Sequence, residues 1–544
     1  MKNNFLNKML FCISGISTTI LLTNLKTNLV QISIAIMISA ILQLFIIFKL
    51  KFLEKISVEF KNKLLLIIIS MLSVCGYLLT FLWRSELKFS PLIMFLAFSS
   101  FLFIYKIYEF ILYTIQKYKC DIFKYKKIYL YYSIWAIIIF VFTLYIFKIT
   151  SALTYPISIN GISENNTIFG SDVASFCGYK NHLFIGDQLR HPALTIIMMP
   201  ILMFIYIIAL IFSMIFNMNM WVLFSLFYSG LQALVYALIA TMIFALLKDY
   251  MTEKISFWGG WFYLSTFSTI LFTTMIERFS VELIFLFLFV ILVTKQNNEK
   301  NENFIFTLAS LSVVSSIFIY PIKVFKEKLK IKDLIKTIKL GLTILTSLFI
   351  LGRGTLLFSF GDNVQANLRY VVGSIFDSKS LQYLSFESGI FTAPNWVVLY
   401  KSHYNIMFPA AKFGEFADGI IIQAYPQENI YYIVGFIIII LTVLSFVLNR
   451  KLLLAKVSFY WFGFGAFLLG IVGLGSTYNE MALYLSYFSW AQIILFIMLI
   501  NKLFKNEKIK YAILILATIL LFYININTLV EMANALSVNY PPLH

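Results

Sequence analysis

The chain has 544 residues, of which 60% are hydrophobic and 12% charged, against about 25% charged in soluble domains. Together with a mean hydropathy of +0.87, this excludes an ordinary soluble protein and makes the chain a polytopic membrane protein. The net charge of +18 does not point to nucleic acid. The lysines fall in short loops between apolar runs, as the positive-inside rule produces, so the expected partners are the lipid bilayer and its anionic headgroups.

A helix needs about 20 apolar residues to cross the bilayer core. Runs of that kind begin near residues 9, 29, 64, 91 and 129. The N-terminus, MKNNFLNK before an apolar run, resembles a signal peptide but lacks a small-residue cleavage site, so it is expected to stay as a signal-anchor helix. Lys51, Lys55, Lys61 and Lys63 follow the second run; Lys117, Lys119, Lys124, Lys126 and Lys127 follow the fourth. Both clusters belong inside. The N-terminus is then cytoplasmic, and the run 129–148 delivers the loop 150–192 to the outer side.

The basic stretch 323–339 also belongs inside. It reads equally as a plain loop or as an amphipathic helix on the inner surface. The run 340–358 then exits and places 361–428 outside, on the same face as 150–192. Lys451 and Lys456 return inside, Ser476–Glu480 lies outside, and Lys502 to Lys510 lie inside, so the run 511–530 leaves the C-terminus extracytoplasmic. The middle does not alternate. Lys248, Lys254, Lys295 and Lys300 all want the inside, yet two runs lie between 192 and Lys248 and one between Lys300 and Lys323. Half-crossing or hairpin helices would restore the count, where protein or a cavity covers the freed backbone groups.

The expected fold is therefore an all-α polytopic membrane protein of about 13–15 transmembrane helices with two larger extracytoplasmic loops. Residues 1–128 form an N-terminal four-helix segment. Residues 129–360 form a membrane core that includes the first outer loop, 150–192. Residues 361–428 form an outer loop, and 429–544 the C-terminal membrane helices. No fixed-period repeat is present.

Chemistry-bearing residues gather on the outer side. The stretch FGSDVASFCGYKNHLFIGDQLRHP (169–192) holds Asp172, Asp187, His182, His191 and Arg190. A polar loop between membrane helices, rich in ionisable groups, is a functional-site hypothesis; its bland alternative is a solvated connector. The loop 361–428 adds Asp362, Arg369, Asp377, Lys379, Glu387, Lys401, His403, Lys412, Glu415 and Asp418, among Tyr383, Trp396, Tyr400, Tyr404 and Tyr425. Those aromatics suit sugar rings, but singly they read as the interfacial belt of any membrane protein. Glu277 and Arg278 stand at the junction of two apolar runs.

The histidines, His182, His191, His403 and His544, show no HxxxH or HExxH spacing. The four cysteines, Cys12, Cys75, Cys120 and Cys177, make no CxxC pair and no disulfide framework. Walker, GxGxxG and GxSxG motifs are absent, which argues against an ATP-driven pump or a serine hydrolase. An outer carboxylate within about 3 Å of an acceptor hydroxyl can act as general base, and Arg or Lys can hold a departing phosphate. That suits sugar transfer from a lipid phosphate whose tail stays in the bilayer.

Gly170-Ser171-Asp172 after an apolar run, with a loop closing on His191-Pro192-Ala193-Leu194, resembles the GT-C superfamily of integral-membrane glycosyltransferases. Members often carry an acid in the first outer loop and an H-P-L-like motif at its end. Glu277-Arg278-Phe279 before VELIFLFLFVILVTK, and GSTYNEMALYLSYFSW (475–490), are similar to further GT-C features. The resemblance spans about residues 129–530, though four helices precede the matched module. It implies a GT-C-like core over 129–360 and a polyprenyl-phosphate sugar as donor. It implies Asp172 as catalytic base and Asp187 as second acid. Arg190, His191, Glu277, Arg278, Lys401 and His403 would bind donor phosphate or sugar. The acceptor is a cell-envelope glycan, lipid or protein. The lipid-linked sugar is a substrate rather than a cofactor, and a divalent metal stays open.

Two other classes compete. A surface-polysaccharide polymerase or ligase would rest on the Arg residues of 361–428. A flippase or transporter of lipid-linked glycans should place charges within its spans, where the sequence offers only Lys106, Glu109 and Arg353.

Overall fold

The computed structural model describes residues 2–23, 29–48, 62–85, 91–151, 193–277, 279–295, 299–326, 331–351, 383–384, 387, 389–391, 397–402, 419–424, 429–471, 484–537 and 541–542. The helices are α1 (Lys2–Leu22), α2 (Leu29–Phe48), α3 (Lys63–Ser85), α4 (Pro91–Phe123), α5 (Lys126–Phe147), α6 (Leu194–Phe216), α7 (Met220–Leu247), α8 (Glu253–Leu264), α9 (Phe267–Thr274), α10 (Phe279–Lys295) and α11 (Glu299–Ser312). A 3-10 helix, Val314–Phe325, follows. Then come α12 (Ile331–Ile350), α13 (Asn429–Asn449), α14 (Leu453–Gly465) with a π turn at Ala466–Ile471, α15 (Leu485–Leu503) and α16 (Glu507–Ser537). The described chain is helical apart from β1 (Val397–Ser402) and β2 (Gly419–Ala424). These pair antiparallel with Val397 opposite Ala424 and Ser402 opposite Gly419.

Ten of the described helices are long and apolar enough to cross a membrane, and the chain is a multi-pass membrane protein. That number counts the described residues only, and within them several apolar runs are cut. α8 has 12 residues and α9 has 8; α11 has 14 and the 3-10 helix 12. None of these four crosses alone.

α7 is a central helix, with 72% of its apolar window buried, and α15 is buried more deeply still at 83%. Its N-cap, Asn219, accepts from the amides of Trp221 at 2.9 Å and Val222 at 3.4 Å, which starts the helix two residues after the left-handed Asn217 closes α6. α5, α6, α8 and α10 pack around it.

The basic junctions meet at one end of the bundle. Lys248, at the end of α7, lies over the Tyr125 ring between α4 and α5, 5.2 Å from its centroid. Lys295 pairs with Asp249 at 3.0 Å. Thr252 donates to Glu507 at 3.0 Å, and Lys254 lies over the Tyr511 ring. Lys326 donates to the Val293 carbonyl at 2.8 Å, and Lys295 to that of Ala245. The last two bonds cap the C-terminal carbonyls of α10 and α7, where a cation also complements the helix dipole.

This shared end accounts for the sequence region that failed to alternate. α8 and α9 leave the basic end, and α10 returns to it. α11 and the 3-10 helix form a half-crossing hairpin whose limbs are tied at the base by Lys323 and Glu302, 3.0 Å apart. α6 runs away from the basic end, parallel to α3. Ser73 and Ile196 both bind Tyr108, and Gly76 faces Met199 and Met203. Its start is therefore part-way across the bundle, where the Ala193 amide donates to Leu311 near the hairpin tip at 2.8 Å. The sequence placed this hand-over at the outer surface; an apolar run gives no information about the depth at which it begins.

Two prolines inside helical segments are compensated from outside. Pro200 has no N–H for the Ile196 carbonyl, and the Tyr108 hydroxyl of α4 donates there instead. Pro321 leaves the Phe318 carbonyl open in 3-10 geometry, and Tyr460 of α14 fills it at 2.8 Å. The N-terminal helices are joined to the core by α12, which packs against α1 and α2.

The shared end can be tested by labelling. Single cysteines at Lys124, Lys254, Lys326 and Lys508, in a chain whose native cysteines are replaced by serine, should react with an impermeant maleimide from one and the same side of sealed vesicles. Reaction of any one of them from the opposite side would break this arrangement.

Candidate functional site

Of the residues singled out in the sequence, Asp172, Asp187, Arg190, His191, Arg278 and His403 lie outside the described residues. Lys401 is on β1, opposite Ile420. Glu277 is described, and it is 2% exposed.

Glu277 sits in a cut helix. α9 ends at Thr274, Met275 is extended (φ −102, ψ 142), and α10 starts at Phe279. The freed backbone groups are taken up by one face of α7. Gln232 Nε2 donates to the carbonyls of Met275 at 2.7 Å and Thr273 at 3.4 Å, while its Oε1 accepts from the Glu277 amide at 3.1 Å. Tyr228 donates to the Glu277 carbonyl at 3.0 Å and Ser229 to that of Thr274 at 3.3 Å. Positions 228, 229, 232 and 236 lie along one side of a helix. Gln232 precedes the basic end of α7 by about 22 Å at 1.5 Å per residue, so the break lies in the half of the bundle remote from that end.

One turn into α10, Glu282 is also 2% exposed. Both carboxylates are within electrostatic reach of the Tyr236 hydroxyl on α7, and Glu282 is within reach of Tyr487 on α15. Tyr236 shares a hydrogen bond with Ser486 at 3.1 Å, and Tyr487 shares one with Ser316 on the hairpin. A polar seam thus runs where α7, the α9–α10 break, α15 and the hairpin meet. Its acids, amide and hydroxyls are the groups that recognise sugar hydroxyls. The sequence reading found Glu277 but passed over Glu282; the available signal was an acid standing inside VELIFLFLF.

A second buried acid comes from the 361–428 region. Tyr383, Leu384, Glu387 and Phe391 dock among α8, α13, the π turn, α15 and α16. Glu387 is 0% exposed, and its Oε2 accepts from Gln492 of α15. Tyr383 also hydrogen-bonds this carboxyl. Among the described residues its Oε1 has no hydrogen-bond partner. Gln492 lies about 15 Å from the basic end of α15, roughly half of the 30 Å hydrocarbon thickness.

Two further buried acids pair with lysines, Glu109 with Lys106 and Glu302 with Lys323. Among the described residues no three His, Cys, Asp or Glu side chains converge as a metal site. Comparison of the chain with protein-family models, curated proteins and solved structures found no match.

Gln232→Leu should leave two carbonyls and one amide of the break without their partner. Each buried unsatisfied group costs about 1–3 kcal/mol, so the thermal midpoint in detergent should fall clearly. An unchanged midpoint would show that Gln232 does not hold the break.

Proposed function

We propose that the chain is a GT-C-type membrane glycosyltransferase. It would move a sugar from a polyprenyl-phosphate donor to a cell-envelope glycan, lipid or protein on the extracytoplasmic side of the plasma membrane. The observation that supports this most is the buried acid Glu277 at a sealed helix break in the half of the bundle remote from the basic end. With the basic end cytoplasmic under the positive-inside rule, the break falls in the outer half, next to where a lipid phosphate headgroup lies. α1 then starts inside and α16 ends outside.

On this reading Arg278, which precedes α10 in sequence, and the N-terminus of α10 favour an anion. Arg190, His191, Lys401 and His403 supply further donors to phosphate or sugar. Asp172 takes the proton of the acceptor hydroxyl as its oxygen attacks the anomeric carbon. The bond from that carbon to the phosphate oxygen breaks, and polyprenyl phosphate leaves. Asp187 is the second acid of the loop.

A second reading has its own observation. Cut helices, a half-crossing hairpin and buried acids inside the bundle are the materials of transport sites. Glu277, Glu282 and Glu387 add to the few intramembrane charges legible in the sequence, which favours a lipid-linked-glycan transporter more than composition did.

Transfer of radiolabelled sugar from polyprenyl-phosphate donors separates the two. Wild type should give a labelled glycan, lipid or protein product. Asp172→Asn should lower the rate by the 10²–10⁴-fold or so typical of a lost general base while inserting normally. Wild-type turnover in that variant would remove Asp172 as base. Movement of a fluorescent lipid-linked glycan across vesicles without any transfer would favour the transporter.

A further inference from the structure

α4 carries an ion pair into the bilayer. Lys106 Nζ donates to Glu109 Oε2 at 2.5 Å, one turn along the same helix. Two neighbouring helices give its depth. Ser73 of α3 shares a hydrogen bond with Tyr108 at 2.7 Å, and Ser73 stands about 15 Å along α3 from Lys63, where that helix starts. The Phe103 amide donates to Ser14 of α1 at 2.8 Å, and Ser14 stands about 18 Å along α1 from Lys2. Both helices start on the lysine-rich side. Lys106 and Glu109 lie beside Tyr108 and Phe103 on α4, so both rulers put the pair near the middle of the roughly 30 Å hydrocarbon core.

The two partners are not equally accessible. The Lys106 side chain keeps 29% of its surface open, and that of Glu109 6%. About three helical turns separate Lys106 from Phe95, so it lies on the same side of α4 as Phe95 and Leu92, which are exposed. Its ammonium is 5.8 Å from the centroid of the Tyr105 ring. The next residues pack: Ile107 against Phe103 and Phe11 of α1, and Phe110 edge-on to Phe304 of α11 at 4.4 Å. This side of α4 meets lipid chains. Stability does not call for a charged pair there. Two charges taken out of water lose about as much hydration as their attraction returns, and an apolar pair of similar volume often serves a fold as well or better. Ionisable groups held at such depth mark ligand paths. The accessible member is the cation, so the ligand is an anion that arrives from the lipid phase.

We propose that Lys106 binds the phosphate of a polyprenyl monophosphate lipid drawn to mid-depth, and that Glu109 tunes the strength of that hold. An ammonium has three N–H donors. Glu109 takes one, which fixes the side chain and competes with the phosphate, so that the lipid can be bound and released again. No covalent bond changes. A diacyl lipid keeps its phosphate at the leaflet surface, about 15 Å away; a phosphate at this depth belongs to a lipid that the protein itself draws in. The inference rests on the polyprenyl-phosphate reading for the identity of the ligand, and it is independent of sugar transfer.

The test is titration of the full chain in neutral detergent with polyprenyl monophosphate, polyprenol and phosphatidylglycerol, the bound lipid being counted by native mass spectrometry. Wild type should bind polyprenyl monophosphate more tightly than the other two. Glu109→Gln should tighten that binding by about threefold or more, because the competing carboxylate is gone. Lys106→Met alone strands a buried carboxylate and can fail to fold. The decisive comparison is therefore Glu109→Gln against the uncharged double variant Lys106→Met/Glu109→Gln, which differ only at position 106. The double variant should bind about tenfold or more weakly, and Lys106→Arg should keep the wild-type affinity within a few-fold. Equal binding by Glu109→Gln and the double variant removes this site and leaves the polyprenyl-phosphate reading standing. Phosphatidylglycerol bound as tightly as polyprenyl monophosphate overturns the assignment of the ligand. Wild type with no affinity for polyprenyl monophosphate overturns this inference and that reading together.

Discussion

A peptide group that leaves helical geometry inside a membrane must find its hydrogen bonds in protein, because lipid offers none. The architecture follows from how this chain meets that demand. Its helices are cut or interrupted at Pro200, Ser265, Thr274–Phe279, Val313 and Pro321, and named side chains of neighbouring helices serve several of these places. Tyr108 and Tyr460 supply hydroxyls to the carbonyls that two prolines leave open. Gln232, Ser229 and Tyr228 serve the α9–α10 break, and Asn525 serves Ser265. These bonds run between elements distant in sequence, so they also fix how the helices stand against one another. A central helix that looks uniformly apolar in its average hydropathy is, on one face, a row of donors and acceptors.

The described acids of the membrane core stand in several settings. Glu109 and Glu302 pair with lysines, and both pairs tie structure together: one along α4, the other at the base of the hairpin. Glu387 has amide and phenol neighbours, and Glu277 and Glu282 lie within electrostatic reach of tyrosines of α7 and α15. The lysines at the basic end are also used twice. Lys295 and Lys326 carry the topological signal and close the C-termini of α7 and α10.

Much of this organisation was legible in the sequence. The hydrophobic share gave the class, the lysine clusters gave the end at which five junctions gather, and the failed alternation between 192 and 340 marked where half-crossing elements stand. Glu277 was found because it interrupts two apolar runs. Other features were not legible for definite reasons. Hydropathy averages polarity over a window and carries no depth, so the start of α6 part-way across the bundle was invisible. Glu282 was absorbed by the eight apolar residues of VELIFLFLF, which hide a single acid in an average. Glu387 was read as one charge among ten in an aqueous loop, because only the packing of Leu384 and Tyr383 against Gly435 and Gly470 reveals that it lies in the bundle. The loop 150–192, where the sequence places Asp172 and Asp187, keeps its role as an inference from motif.

The hydroxyls of α1 have a consequence for how the protein is made. Ser17, Thr18, Thr19 and Thr23 each donate to a carbonyl four residues earlier in their own helix, at 2.7 to 3.0 Å. Thr19 also reaches the Ile350 carbonyl at the end of α12, across a sequence separation of 331 residues. Ribosomal synthesis therefore delivers α1 to the membrane long before its last partner exists. Because each hydroxyl is already satisfied within the helix, α1 can stand in lipid without an exposed polar demand. The N-terminal helices thus act as a waiting berth: they are made first, and α1 later receives the end of α12 through Thr19.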